Sequence, residues 1–240
     1  MFFKKKKPEP EVQEPKRAWP LPKHVALDLE GVAKWAEEQH VTLDEAYRRS
    51  FALVQELVQQ QVAMNIPVMT FFVLSAGLRG TAQAAALLGQ FAAFAKEPAL
   101  SGLLRQHKVK VTFLGKWYDL PQAAVEAIRV MSEETKEYDS FFLNLCMNYD
   151  GQEEIVDACR LLGRQIKIGK LDPDLVSKKL LKENLASSYF IPPDVILRNG
   201  REAILSSLLL WDSAGARFVA SRSNFPELTA ERFAQLVRGE

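Results

Sequence analysis

The chain has 240 residues, is 48% hydrophobic and 25% charged, and carries a formal net charge of +1. That is enough for one large α/β domain with a substantial core, and the near-neutral balance excludes a general nucleic-acid role driven by charge. Cys146 and Cys159 lie in apolar stretches, and His24, His40 and His107 are scattered. No disulfide framework or zinc cluster is implied, and both thiols are expected to be reduced and buried.

Residues 1–20 are rich in Lys, Glu and Pro and read as a flexible arm before a single domain over 21–240. Met1-Phe2-Phe3 followed by Lys4–Lys7 lacks the apolar stretch of a secretory leader. The lysine run has two readings, a solvated tail or a contact with anionic lipid. The longest apolar run, about Ile66 to Ala76, is too short to span a bilayer. The expected location is the cytoplasm, with peripheral membrane contact left open.

From Lys23 onward, strands and helices alternate. Strands are expected at His24–Leu29, Pro67–Leu74, Lys110–Leu114, Ser140–Met147, Val195–Arg198 and Arg217–Ala220. Most are continuous apolar runs, as befits strands covered on both faces. Helices are expected at Leu43–Asn65, at Ala82–His107 with a break near Pro98, at Pro121–Thr135, at Gln152–Ile168 and at Glu227–Val237. This alternation predicts an open, mostly parallel six-stranded sheet flanked by helices, with right-handed crossovers. Trp35 and Trp211 are expected in the core, and Glu133-Glu134 and Glu153-Glu154 on solvated helix faces.

The segment from Pro22 to Ala36 reads as a buried strand, a glycine turn at Gly31 and a helix start. It ends its strand on carboxylates, where parallel α/β sheets place ligand sites. Asp28 lies two residues before Glu30, so both side chains point to one face of the strand. A buried aspartate needs a partner. Two readings stay open: a cation or acid/base pair, or an Asp28 satisfied by a nearby Lys, Arg or backbone N–H.

Four ordered segments carry a resemblance. His24-Val25-Ala26, Glu30-Gly31 and Lys34-Trp35-Ala36 are similar to H-V-A-x-x-x-D-G-N-G-R-W-A. Val111-Thr112-Phe113-Leu114-Gly115 with Leu120-Pro121 matches a third strand and the helix after it. Leu143 to Ile155 is similar to L-N-I-A-x-N-Y-G-G-R-x-E-I. Asp194 to Arg198, then Glu202, Leu205-Ser206 and Leu209-Leu210-Trp211, is similar to D-L-x-I-R-T-x-G-E-x-R-L-S-N-F-L-L-W. Together they resemble the cis-prenyltransferases, the undecaprenyl and polyprenyl diphosphate synthases.

The resemblance implies that family's fold and its chemistry, elongation of an allylic diphosphate by isopentenyl diphosphate with cis double bonds. It assigns Glu30 to catalysis and to Mg2+; Asp28, where the family has an apolar residue, joins it only through the strand-face reading above, as a relocated cation or acid/base pair. It assigns Gly31, Lys34, Arg79, Arg198 and Ser206 to diphosphate binding, the alternative for the basic residues being ordinary surface or salt-bridged roles. In the alanine-rich stretch, Leu87, Leu88, Phe91 and Phe94 either line a lipid tunnel or pack helix against sheet.

The chain also departs from the pattern. Glu30 replaces the family's Asp, Val32 and Ala33 replace Asn and Gly, and Lys34 replaces an Arg fork with a point charge. Tyr47 stands for a His. Ser75-Ala76-Gly77-Leu78-Arg79 lacks the Glu and Asn of S-x-E-N-W. Ile204 replaces a second Arg, Ser207 an Asn, and Arg217 a metal-binding Glu. Val237-Arg238-Gly239-Glu240 lacks an Arg two places before Gly239, so a shortened tail is expected.

The losses fall on polar chemistry while the apolar framework remains. The first reading is therefore an accessory subunit of a heteromeric polyprenyl diphosphate synthase, paired with a catalytic cis-prenyltransferase subunit. Self-association through the apolar Leu205–Trp211 is the alternative partnership. The second reading is an enzyme of altered chemistry on an isoprenoid diphosphate, with Mg2+. The third is a protein that binds isoprenoid lipid without reaction.

Overall fold

A computed structural model describes residues 19–200 and 206–240. The expectations for Lys4–Lys7, Glu202 and Leu205 lie outside the described residues. The elements run β1 (His24–Asp28), α1 (Val32–Gln39), α2 (Leu43–Ala63), β2 (Val68–Ser75), α3 (Ala82–Phe94), α4 (Pro98–His107), β3 (Val109–Leu114), α5 (Gln122–Thr135), β4 (Phe141–Tyr149), α6 (Gly151–Lys167), α7 (Lys178–Glu183), β5 (Val195–Arg198), β6 (Arg217–Ala220) and α8 (Ala230–Arg238). The six strands form one sheet in the order β3-β4-β2-β1-β5-β6, and every pairing is parallel.

Burial explains the strand sequences. All five residues of β1 are buried, as are seven of the eight in β2. The edge strand β6 alternates half-buried and exposed residues. Interior strands covered on both faces need apolar side chains throughout, whereas an edge strand does not. Helix starts follow local chemistry. The Thr42 side chain accepts from the Glu45 N–H at 3.2 Å, Thr81 from Ala84 at 3.1 Å, and Asp150 from Gln152 at 2.7 Å. Pro98 opens α4 and divides the long alanine-rich helix as expected.

Three boundaries differ from expectation. Pro121 caps α5 from outside. A short 3-10 turn, Phe225–Glu227, precedes the last helix and delays it to Ala230. The six-residue α7, capped by Ser177, is too short to leave a periodic signal. Trp19 is also packed: its ring lies 4.1 Å from the guanidinium of Arg217, and its N–H donates to the Arg238 carbonyl.

The larger apolar core joins β1–β5 to α2, α3, α4, α5 and α8, and a smaller one gathers Ala26, Phe72, Cys146, Ile196, Leu208 and Leu209. Leu208 and Leu209 are buried within their own chain, so of that apolar run Leu210 is left exposed. Cys146 is buried but Cys159 is exposed, on the flank of the buried face that Ala158 and Leu162 give to α6. Trp35 and Trp211 are half-buried rather than enclosed.

Leu87, Leu88, Phe91 and Phe94 are all buried on α3. Phe94 stacks on Phe51 at 5.1 Å, and Phe91 meets Phe51 and Phe113 at 6.0 Å. None of the four lines either of the two clefts described below. Phe91→Ala is expected to destabilise the fold by about 3–5 kcal/mol, as for a large buried aromatic. Denaturant unfolding measures this, and a loss below about 1 kcal/mol would mean that the ring borders open space.

Candidate active-site cleft

Two neighbouring strands send their connections in opposite directions. β1 leads to β2 on one side, and β5 leads to β6 on the other. The loops after them diverge and open a crevice at their carboxyl ends, the usual ligand position in a parallel sheet. The crevice is a cleft of about 550 Å³ whose walls include Asp28, Glu30, Lys34, Tyr47, Gln83 and Arg198.

The turn into the cleft requires glycine. Gly31 has φ +79°, and a Cβ there would lie 2.3 Å from Asn224 Oδ1. The Glu30 carbonyl accepts from the Phe225 N–H at 2.8 Å, which ties the turn to the chain beyond β6. The first turn of α1 has no side-chain cap, and Gly31 through Lys34 line the cleft with it.

Asp28 and Arg198 form the centre. Arg198 Nη1 donates to Asp28 Oδ2 at 2.5 Å and lies 3.3 Å from Glu30 Oε1. The other Asp28 oxygen accepts from the Asn199 N–H at 3.1 Å. The Asn199 side chain donates to the Asp28 carbonyl at 2.8 Å and accepts from Ser221 Oγ at 3.0 Å. Burial pushes the Asp28 carboxyl up to about 6 against the pull of Arg198. Glu30 is half exposed. Arg198 is buried, and its Nε has no acceptor among the described residues.

Tyr47, which stands for the family's His, and Gln83, which escapes the sequence reading, enter the cleft through tertiary packing. Gln83 Nε2 donates to the Tyr47 hydroxyl at 2.8 Å, which leaves the phenol's own proton available as a donor. Burial raises Tyr47 to about 12, so that proton stays in place at neutral pH.

Of the expected site residues, Asp28, Glu30, Gly31, Lys34 and Arg198 come together in the cleft. Arg79 does not. It is exposed, 3.9 Å from Asp119, on the wall of a second cleft of about 790 Å³ beyond β3 and β4. There Lys116 pairs with Glu153 at 3.0 Å and Asp157 at 3.4 Å. Glu154, expected in solvent, is buried and accepts from the Tyr149 hydroxyl at 2.7 Å and the Ser187 N–H at 2.8 Å. Ser206 is half-buried, off the wall of the first cleft, and accepts from the Leu208 N–H. Arg217 sits at the amino end of β6, away from the cleft.

Asp28 does not fit a magnesium ligand in this arrangement, because one oxygen faces a guanidinium and the other an N–H. Glu30 retains a solvent-facing carboxylate beside it. Among the described residues no group of three His, Cys, Asp or Glu side chains is arranged to hold a metal ion, and no helix is long and apolar enough to cross a membrane.

An all-parallel sheet with a cleft where its connections diverge marks an open α/β ligand-binding fold. The family model described as "Putative undecaprenyl diphosphate synthase" matches residues 29–239, and the chain belongs to the cis-prenyltransferase family. It is 30% identical over 213 residues to isoprenyl transferase 2 of Corynebacterium efficiens, covering 88% of this chain and 87% of that one. It is 28% identical over 222 residues to the geranylgeranyl-diphosphate-specific tritrans,polycis-undecaprenyl-diphosphate synthase of Methanocaldococcus jannaschii, covering 91% and 79%. Its fold is similar to that of lavandulyl diphosphate synthase from Lavandula x intermedia, solved with dimethylallyl diphosphate, with a TM-score of 0.85 at 22% identity over 90% of this chain and 94% of that one.

At the far end of β1, His24 donates from Nδ1 to the Ile191 carbonyl at 2.6 Å and accepts from Thr70 Oγ1 at Nε2, 2.8 Å away. Burial lowers it from 6.5 to about 4. Its stabilising contribution is complete above pH 6.5 and is lost as pH falls toward 4. Asp28 has the opposite sign: its folded value near 6 lies above the ordinary 3.8, so acidification from 6 to 4 relieves a penalty. Each amounts to about 3 kcal/mol, and in the wild type they offset each other. Asp28→Asn removes the offset, so between pH 6.5 and 4 it is expected to lose on the order of 3 kcal/mol more stability than wild type. Urea titrations across that range would give parallel curves for the two proteins if this were wrong.

Proposed function

We propose that this chain is a non-elongating member of the cis-prenyltransferase family that acts as an accessory subunit beside a complete relative, with a weakened isoprenyl-diphosphate site in its β1/β5 cleft. The observation that carries the reading is the engagement of Arg198 by Asp28 and Glu30. Among the described residues, the charged ones lining the cleft are two carboxylates, Asp28 and Glu30, and two cations, Lys34 and Arg198. Their charges cancel where a diphosphate calls for an excess of cationic donors. The packing of Phe91 and Phe94 against Phe51 supports the same reading, since neither ring lines the β1/β5 cleft as the wall of a prenyl tunnel would. For a partner, which is a full-motif relative or a second copy, the edge strand β6 offers Phe218, 46% exposed, and the segment before it offers Leu210, 39% exposed.

Tyr47 favours a second reading, chemistry on a short isoprenyl diphosphate. Its retained proton is available to a departing diphosphate oxygen, and Lys34 lines the same cleft. In that reading Glu30 is the carboxylate that would help hold Mg2+, and the ion would supply positive charge toward a departing diphosphate.

The protein alone, incubated with C10 to C20 allylic diphosphates, isopentenyl diphosphate and magnesium, is expected to form no long product. Mixed with a full-motif relative from the same source, it is expected to co-elute and to raise that enzyme's rate. Long Z-polyprenyl product from the pure chain would overturn both readings. A short product would select the second.

A further inference from the structure

We propose that Asp28 is a built-in occupant of the anion site: its carboxylate stands where a ligand phosphate oxygen would meet Arg198, and a diphosphate binds there by displacing it. The inference deepens the reading of the cleft as an isoprenyl-diphosphate site and rests on that reading.

The guanidinium fork recognises a carboxylate and a phosphate through the same geometry, two oxygens set against parallel N–H donors. In this cleft Arg198 Nη1 already faces an acceptor at 2.5 Å, Asp28 Oδ2. The Nε donor is buried and has no acceptor among the described residues, but it points along a different edge of the guanidinium from the Asp28 contact. An entering phosphate oxygen that bonds Nη1 therefore does so at the expense of Asp28.

Two carboxylates face the guanidinium, and they differ in burial. Glu30 is half exposed, lies farther away at 3.3 Å, and is free to turn into solvent. Asp28 is buried and held at its second oxygen by the Asn199 N–H. Asn199 is fixed in turn by its bonds to the Asp28 carbonyl and to Ser221. A ligand can therefore push Glu30 aside at little cost, whereas it must compete with Asp28 directly. Lys34, exposed at the start of α1, is the other lining cation and is positioned to meet an entering anion before Arg198 does. Asp28 thus sets the selectivity of the cleft against small phosphates, and a ligand gains entry only with added binding from elsewhere, such as an apolar tail.

The test is calorimetric titration of the full chain with inorganic pyrophosphate at pH 8, without divalent metal. Asp28→Asn keeps the shape and removes the competing charge. It is expected to bind pyrophosphate about tenfold tighter than wild type or better, and the gain is expected to vanish in Asp28→Asn combined with Arg198→Met. Glu30→Gln, an exposed change that leaves the buried network whole, is expected to gain no more than about threefold. A tenfold gain from Glu30→Gln would overturn the proposal even should Asp28→Asn fail to fold. Equal affinity in wild type and Asp28→Asn would overturn the inference and leave the diphosphate-site reading standing. Absence of binding by either would overturn both.

Discussion

At the carboxyl edge of the sheet a buried carboxylate from β1 and a buried guanidinium from β5 hold each other at 2.5 Å. A charge taken out of water is costly unless its partner is close and its remaining bonds are made. Asn199 completes the set on the Asp28 side and links it to Ser221, beyond β6. Three separate stretches of chain thus meet at one ion pair, at the point where the sheet's connections diverge. Removing Arg198 would leave Asp28 buried without its counter-charge, and removing Asp28 would leave Arg198 the more distant Glu30, so the electrostatics of the cleft depend on this contact.

The two ends of β1 use their buried polar groups differently. At the amino end, His24, Thr70 and Asn144 form a relay across three strands, with Asn144 Nδ2 donating to Thr70 Oγ1 at 3.1 Å. That network is neutral and closed. At the carboxyl end the network is charged and open to the cleft. Between them lie Val25, Ala26 and Leu27, fully buried. Neutral groups tolerate full enclosure when hydrogen-bonded, whereas charged ones are placed where solvent or a ligand can reach part of them.

The apolar framework and the polar set at the cleft are held in place by different means. The apolar strands, the glycine turn at Gly31 and the contact of Gly151 with the Ser207 carbonyl all belong to packing, and packing is sensitive to single methyl groups. A Cβ on Gly151 would lie 2.1 Å from that carbonyl oxygen, so α6 can approach the Ser207–Leu210 segment only through glycine. The polar residues answer to a different constraint. Arg198 persists, but its counter-charge comes from the chain itself. Lys34 keeps a positive charge without the bidentate geometry of arginine.

The sequence by itself determined the sheet, its strands to within a residue or two, and the break at Pro98, because continuous apolar runs and capping residues are local signals. It also put Asp28 and Glu30 on one side, since strand geometry alternates by a fixed period. Only the tertiary structure decided which partners they meet. Arg198 is 170 positions from Asp28, and Gln83 is 36 from Tyr47. It moved Arg79 to another cleft, enclosed Glu154 and exposed Cys159, for one reason. A side chain's neighbours across the sheet are set by how strands and helices pack at long range, and a linear pattern carries no distance between residues far apart in the chain.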